Sequence, residues 1–230
     1  MNGSKNNIIE VLTHREDYIS GEVISDEMGI SRAAVWKHIK RLKEEGYKIA
    51  SVRNKGYKLI AYPEQFVSAE IMDAIMDLNL VEQVITLDTI DSTNIEAKRL
   101  ASVYPSQQML IISEEQTAGV GRRGRVWQSQ KGQGIYMSFL LRPELEPKHA
   151  SKLTLLAGLA VSGAIRELTG LESYIKWPND IVVNQKKVAG ILTEMSTEMN
   201  EIRYLVIGIG INVGQQSFEP EISQVATSLS

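Results

Sequence analysis

From Gln116 the chain reads Gln-Thr-Ala-Gly-Val-Gly-Arg-Arg-Gly-Arg-Val-Trp127, with three glycines (Gly119, Gly121, Gly124) and three arginines (Arg122, Arg123, Arg125) inside seven residues. Glycine lets backbone N–H groups come close to an anion, and the planar guanidinium fork matches phosphate or carboxylate. The expectation is a mobile cationic loop over an anionic ligand. A plain surface loop, or a second nucleic-acid patch, has the same composition. The glycines also fit G-x-G-x-x-G, but the dinucleotide fingerprint needs a helix opening inside it within a βαβ unit. The continuation Arg125-Val-Trp-Gln-Ser-Gln-Lys-Gly-Gln-Gly134 is polar, Gly-rich and non-helical. That match is a decoy.

Four further segments carry polar groups in compact arrays. Asp91-Ser92-Thr93-Asn94 stands where a strand passes into a helix; its hydroxyls and amide can hold a small polar ligand, or simply cap the helix. Lys176-Trp177-Pro178-Asn179-Asp180 joins a cation and a large aromatic to a rigid turn, and Asn and Asp beside Pro are also ordinary turn formers. Lys187-Val-Ala-Gly-Ile191 puts a lysine on the strand returning from that turn. Gly208-Ile-Gly-Ile-Asn212 ends a very apolar strand, where glycines mark close approach of a ligand or, more cheaply, a bulge. The set supplies phosphate-binding cations, an apolar wall of nucleobase size and polar groups for a small ligand. No Ser–His–Asp or metal-ligand cluster competes, since His14, His38 and His149 are scattered and cysteine is absent.

The elements that position these groups fall into two blocks. In the first sixty residues, Ile8, Ile9, Val11 and Leu12 line a first helix, and Ser20 caps a short second one over 21–28, which Gly29 ends. A third begins after Ser31, with Ile30 and Val35 as a hydrophobic staple and Val35, Trp36, Ile39 and Leu42 as its apolar stripe. Gly46 caps it. Strands over 47–52 and 57–61 flank the turn Arg53-Asn54-Lys55-Gly56. Helix, turn, helix and basic hairpin make a winged helix-turn-helix. A small helical domain with a basic solvated face is the blander alternative. Charge favours the former: the chain carries −3 overall, yet 31–58 holds nine basic residues against Glu44 and Glu45. A cationic module is joined to an acidic one. Pro63 marks the boundary, giving domains 1–63 and 64–230.

From Glu64 onward the pattern is α+β with a mixed or largely antiparallel sheet. Helices are expected over 68–78, 93–102 (with Thr93 and Glu96 as a capping box) and 151–168. Strands are expected over 84–87, 109–113, 135–141, 173–176, 181–183, 188–194 and 204–212. The N-terminus lacks a leader-like apolar core, and no run approaches the ~18 apolar residues of a bilayer span. With no cysteine, this fits a cytoplasmic protein without membrane association.

These segments, in this order and spacing, closely resemble the biotin–protein ligase family in its bifunctional repressor form. The likeness runs from about residue 5 to the end, and Ser31-Arg-Ala-Ala-Val-Trp-Lys-His-Ile39 and Lys55-Gly-Tyr-Lys-Leu59 resemble its DNA-binding domain. The resemblance implies a class II synthetase-like catalytic domain that joins biotin to AMP and transfers biotin to a lysine of a carboxyl-carrier protein. Biotin would meet Ser92, Thr93, Asn94, Gln116, Gly119, Gly121, Arg122, Lys187, Gly208 and Gly210. ATP, with Mg²⁺, would meet Trp127, Lys176, Asn179, Asp180 and Asn212. Lys187, Arg122 and Arg125 would assist the chemistry. Ser31, Arg32, Ala33, Trp36, Lys37, Lys40, Arg53 and Lys55 would face operator DNA, the adenylate-bound protein acting as a homodimer.

Two departures stand out. Val120 occupies a position where the family usually has arginine, and the usual C-terminal SH3-like barrel is absent from this sequence. The alternative reading is therefore a biotin-sensing regulator with impaired or no ligation. A lipoyl ligase would keep the fold but take another substrate.

Overall fold

The computed structural model describes residues 8, 9, 11–13, 15, 17–44, 46–53, 55–61, 66 and 68–230. The chain divides into two compact units, Met1–Ala74 and Ile75–Ser230. Pro63, Asn54, Glu45 and His14 lie outside the described residues.

In the first unit, residues 8, 9 and 11–13 are helical, followed by α1 (Gly21–Met28) and α2 (Arg32–Glu44). Ser20 accepts a hydrogen bond from the Val23 backbone, and Gly29 ends α1 in the left-handed conformation. Ser31 accepts from the Ala34 N–H at 3.2 Å, as the sequence predicts for the start of α2. The hairpin β1 (Lys48–Val52) and β2 (Gly56–Ala61) follows, and Ile19 makes an isolated antiparallel bridge to Tyr57. Gly56 sits at that bridge with φ +107°, and a Cβ there would lie 1.9 Å from the Ile19 carbonyl oxygen. Ile8, Leu12, Ile24, Val35, Ile39 and Leu42 form the buried core. Trp36 is the exception to the expected stripe, being 59% exposed. Helical periodicity explains this: 35, 39 and 42 share a face, and 36 lies about 100° round from 35. The helix α3 (Ser68–Ile75) clusters with this unit up to Ala74, and Tyr47 donates to Glu70 at 2.6 Å.

The second unit is a seven-stranded sheet in the order β3 (Gln83–Ile90), β4 (Met109–Gln116), β5 (Gly134–Leu141), β9 (Glu201–Asn212), β8 (Lys186–Glu198), β7 (Asp180–Val183), β6 (Ser173–Lys176). Only the β3–β4 pair is parallel, because α4 (Thr93–Val103) crosses between them. Alternation along β9 sends Leu205, Ile207, Ile209 and Ile211 into one core beneath α5 (Ala150–Thr169). Val206 and Tyr204 point to the other face and pack with Ala97 and Ala101 of α4. Gly208, Gly210 and, in register, Ser138 and Gly190 share that second face.

Three local expectations change. Thr93 and Glu96 do not form a capping box: Ser92 is the N-cap without a side-chain bond, Thr93 bonds Gln116, and Glu96 pairs with Arg99. The helix expected to reach residue 78 ends at Ile75 and continues as a 3-10 turn to Leu78. Strand β8 runs past its predicted end to Glu198 and β9 begins earlier than predicted, at Glu201, because these outer parts pair with each other and need no long apolar run. Among the described residues, no helix is long and apolar enough to cross a membrane.

Candidate functional site

The site lies on the α4 face of the sheet, where small residues leave room. Gly210 pairs with Tyr136 on one side and Gly190 on the other, with no register shift at either glycine. A bulge is thus ruled out at this spot, and close approach is the reason for the glycines. A Cβ on Gly210 would lie 2.4 Å from the Trp127 ring, and one on Gly208 would lie 1.9 Å from Asn94 Oδ1.

The loop between β4 and β5 is more folded than its composition suggests. Gly121 N–H donates to Arg125 at 2.7 Å, Trp127 N–H donates to Gly119 at 2.8 Å, and Val120 pairs with Val126. Residues Arg122–Gly124 form one 3-10 turn, with no helix opening inside the glycine pattern. Gly119 serves this closure, since a Cβ there would come within 2.4 Å of the Trp127 carbonyl oxygen. It lines neither cavity, which departs from its expected ligand contact.

Two cavities meet here. The larger, about 600 Å³, is walled by Arg122, Arg123, Arg125, Lys176 and Lys187, with Asp180 the one carboxylate. Asn212 and Trp127 also line it, together with Phe218, Ile222 and Val225 from the C-terminal segment. The smaller, about 40 Å³, is lined by Ser92, Thr93, Asn94, Gln116, Gly208 and Gly210, and by Val120. Gly121, Arg122, Trp127, Asn179 and Lys187 line both. A polar hollow therefore opens into a cationic cleft past one lysine and one arginine.

That junction is fixed from several sides. Arg122 donates to Asn179 Oδ1 at 2.7 Å. The Asn179 amide in turn donates to the Ile191 carbonyl, whose own N–H donates back to Asn179. Lys187 pairs with Asp180 at 2.7 Å and stands 5.1 Å from the Trp127 ring centre. Its backbone is bracketed by the C-terminal segment, donating to Val225 and accepting from Thr227. Trp177, by contrast, is 78% exposed and lines neither cavity.

At the hollow, Thr93 N–H donates to Gln116 Oε1 at 2.8 Å, and Gln116 Nε2 donates to Ser129 at 2.8 Å. Asn94 spends its amide inside the protein, on Glu194 and Ser138, so it holds the wall rather than offering free groups. Beside it, Asp91 accepts from Ser92 N–H and pairs with Arg99, whose hydrogen bond holds the Asp91 carboxyl below the usual carboxylate range. Sequence reasoning misses Ser138, Glu194, Lys98 and the wall residues Phe218, Ile222 and Val225. The first three line neither cavity and back the hollow through Asn94, brought there by strand register and helix crossing, and the last three lie in a segment without periodicity. Among the described residues no group of three metal-ligating side chains converges.

A class follows from this geometry: a mixed sheet carrying a small polar hollow that opens into a cationic cleft. Residues 86–212 match the profile of the biotin/lipoate A/B protein ligase family, and residues 4–58 match that of an HTH domain. The chain belongs to the biotin/lipoate A/B protein ligase family. It is 44% identical over 229 residues to the bifunctional ligase/repressor BirA of Bacillus subtilis, covering 98% of this chain and 70% of that one. With the Escherichia coli protein of the same name it shares 35% identity over 216 residues, covering 94% of this chain and 65% of the relative. Among solved structures, the biotin protein ligase of Aquifex aeolicus in complex with biotin and ATP superposes with TM-score 0.54 and 40% identity. That match covers 64% of this chain and 60% of the Aquifex chain.

Proposed function

We infer that this chain is an ATP-dependent biotin–protein ligase that also represses transcription in response to biotin. The observation that carries the enzymatic half is the shared lining of the two cavities by Arg122 and Lys187. A carboxylate emerging from the hollow and a phosphate in the cleft meet at these two cations. Biotin's carboxylate oxygen attacks the α-phosphorus of ATP, the bond to the bridging oxygen breaks, and pyrophosphate leaves. The amine of an acceptor lysine then attacks the acyl carbon and AMP departs. Both steps shift negative charge across phosphoryl oxygens, which preorganised cations stabilise.

In this reading Ser92, Thr93 and Gln116 hold biotin's ring above Gly208 and Gly210. Arg122, Arg125 and Lys187 hold the reacting groups, and Lys176, Asn179 and Asn212 with Trp127 hold the nucleotide. Mg²⁺ fits as an ion delivered with ATP: one carboxylate plus substrate phosphates is a normal set for it, and Asp180 is that carboxylate. When bound, it would neutralise phosphate charge. The hollow's 40 Å³ accommodates little more than one water molecule, so entry of the ring requires Trp127 to leave Gly210. Trp127 Nε1 is buried there without a hydrogen-bond partner, which lowers the cost of that movement.

Residues 1–63 act as the DNA-binding domain and 64–230 as the ligase domain, in a cytoplasmic protein. Ser31, Arg32, Ala33, Trp36, Lys37 and Lys40 on or beside α2 face an operator, with Arg53 and Lys55 of the wing on the flanking backbone. The acceptor is a biotin carboxyl carrier domain, and the adenylate-bound protein dimerises on a palindromic site. Labelled ATP and biotin, incubated with the chain, should give a retained adenylate that labels an added carrier domain. Biotin binding without any adenylate would leave a sensing regulator in its place.

A further inference from the structure

Trp36 stands 59% exposed on α2, a helix whose core contacts are already made by Val35, Ile39 and Leu42. Neither the domain nor the helix calls for it. The core closes without the ring, and tryptophan forms helix less readily than alanine. Leaving so much apolar surface in water is unfavourable, so a partner that covers it supplies a reason for the residue.

Its surroundings say what that partner is. Arg32, Lys37 and Lys40 share the exposed side of α2 with Trp36 and Ala33, and the helix has no acidic residue before Glu44. Glu22 of α1 faces this side and is paired by Arg32. Lys40 Nζ lies 5.9 Å from the Trp36 ring centre, a cation–π distance, and 3.8 Å from Glu44. One face of the ring is thus occupied, and its other face and edge are left for the partner. Such a cationic surround favours a polyanion over an acceptor of neutral or basic character. Trp36 also lies in the first half of α2, the half nearest the base edges when a recognition helix enters a major groove.

A duplex offers an indole few matches there. Guanine presents two acceptors, adenine an acceptor and a donor, and cytosine a donor, all without an apolar group. Thymine presents the acceptor O4 beside its C5-methyl, which answers both the N–H and the apolar edge of an indole. We propose that Trp36 is a specificity-determining residue that reads the methyl group of a thymine in the operator. The inference deepens the DNA-binding reading above and rests on it.

A duplex selected by the full chain from a randomised pool, with biotin and ATP present, supplies the probe. Its thymines are replaced one at a time by deoxyuridine, which removes a methyl group and nothing else. For the parent, fluorescence anisotropy should show Kd rising about three- to five-fold at one or more positions, the scale of one buried methyl. In Trp36→Ala that sensitivity should vanish at one such position or more. The variant should bind the selected duplex more weakly with no change in salt slope, because no phosphate contact is lost. It should keep the parent's affinity for a scrambled duplex. A parent indifferent to uracil at every thymine overturns the proposal, as does a variant that keeps the parent's sensitivity throughout. A lower salt slope would mark a backbone contact, and equal weakening on the scrambled duplex a structural role; either overturns it too. If the parent enriches no duplex from the pool, the DNA-binding reading falls and takes this inference with it.

Discussion

Val120 lines the small hollow, next in sequence to Gly121 and Arg122 at the junction with the cleft, and its backbone pairs with Val126. An arginine there adds a cation beside Arg122. Val120→Arg should slow adenylate release about ten-fold or more, the effect of one charge-assisted hydrogen bond, measured by filter-bound labelled adenylate. Tyr136 makes a different kind of statement. Its hydroxyl donates to Gln130, and burial pushes its pKa up to about 12. The folded value is raised, so its contribution to stability is full below about pH 10 and lost as pH rises towards 12. Denaturant midpoints should fall between those values in the parent, and less so in Tyr136→Phe. Lys187, Asn179 and Gln116 are legible in the sequence because each lies in a short, chemically dense run. Ser138 and Glu194 are not, because a lone Ser or Glu in a strand says nothing until register places it opposite Gly208 or beside Asn94.

Strands and helices carry a second tier of claims. The loop between β4 and β5 docks on the turn between β6 and β7 through Arg122 and Asn179, and Trp127 covers the glycine floor. With Trp36 and Trp177 replaced by Phe, biotin should shift the emission of Trp127 towards the red as the ring leaves Gly210. An unshifted spectrum with saturable biotin binding would contradict the movement. Helix and strand types are largely readable from periodicity and caps, as at Ser20, Ser31 and Gly170. Errors gather where a tertiary partner overrides a local rule. Thr93 forgoes the capping box for Gln116, and Trp36 leaves the core because the face it occupies is solvent.

Across the whole molecule, the division into two units predicts separable activities. Arg32 pairs with Glu22 on the surface, and Lys55 lies in the turn between β1 and β2. Arg32→Ala and Lys55→Ala should each weaken operator binding and lower the salt slope by about one, as loss of a phosphate contact does. Adenylate formation should not change. Fluorescence anisotropy over a salt series, beside an adenylation assay, checks both; a joint fall would contradict the separation. The cationic head is visible in charge segregation alone, whereas the cleft wall of Phe218, Ile222 and Val225 is not. That segment is held by backbone bonds to Lys187, and such pairing leaves no pattern in side-chain type.

The five residues common to both cavities have a thermodynamic consequence. Each ligand must displace the same contacts, Arg122 with Asn179, Lys187 with Asp180 and Trp127 with Gly210, so whichever arrives first relieves the second of that cost. Biotin and a non-hydrolysable ATP analogue should therefore bind with positive cooperativity. Linkage requires the factor to be equal in both directions, which two calorimetric titrations, each at saturation of the other ligand, would establish.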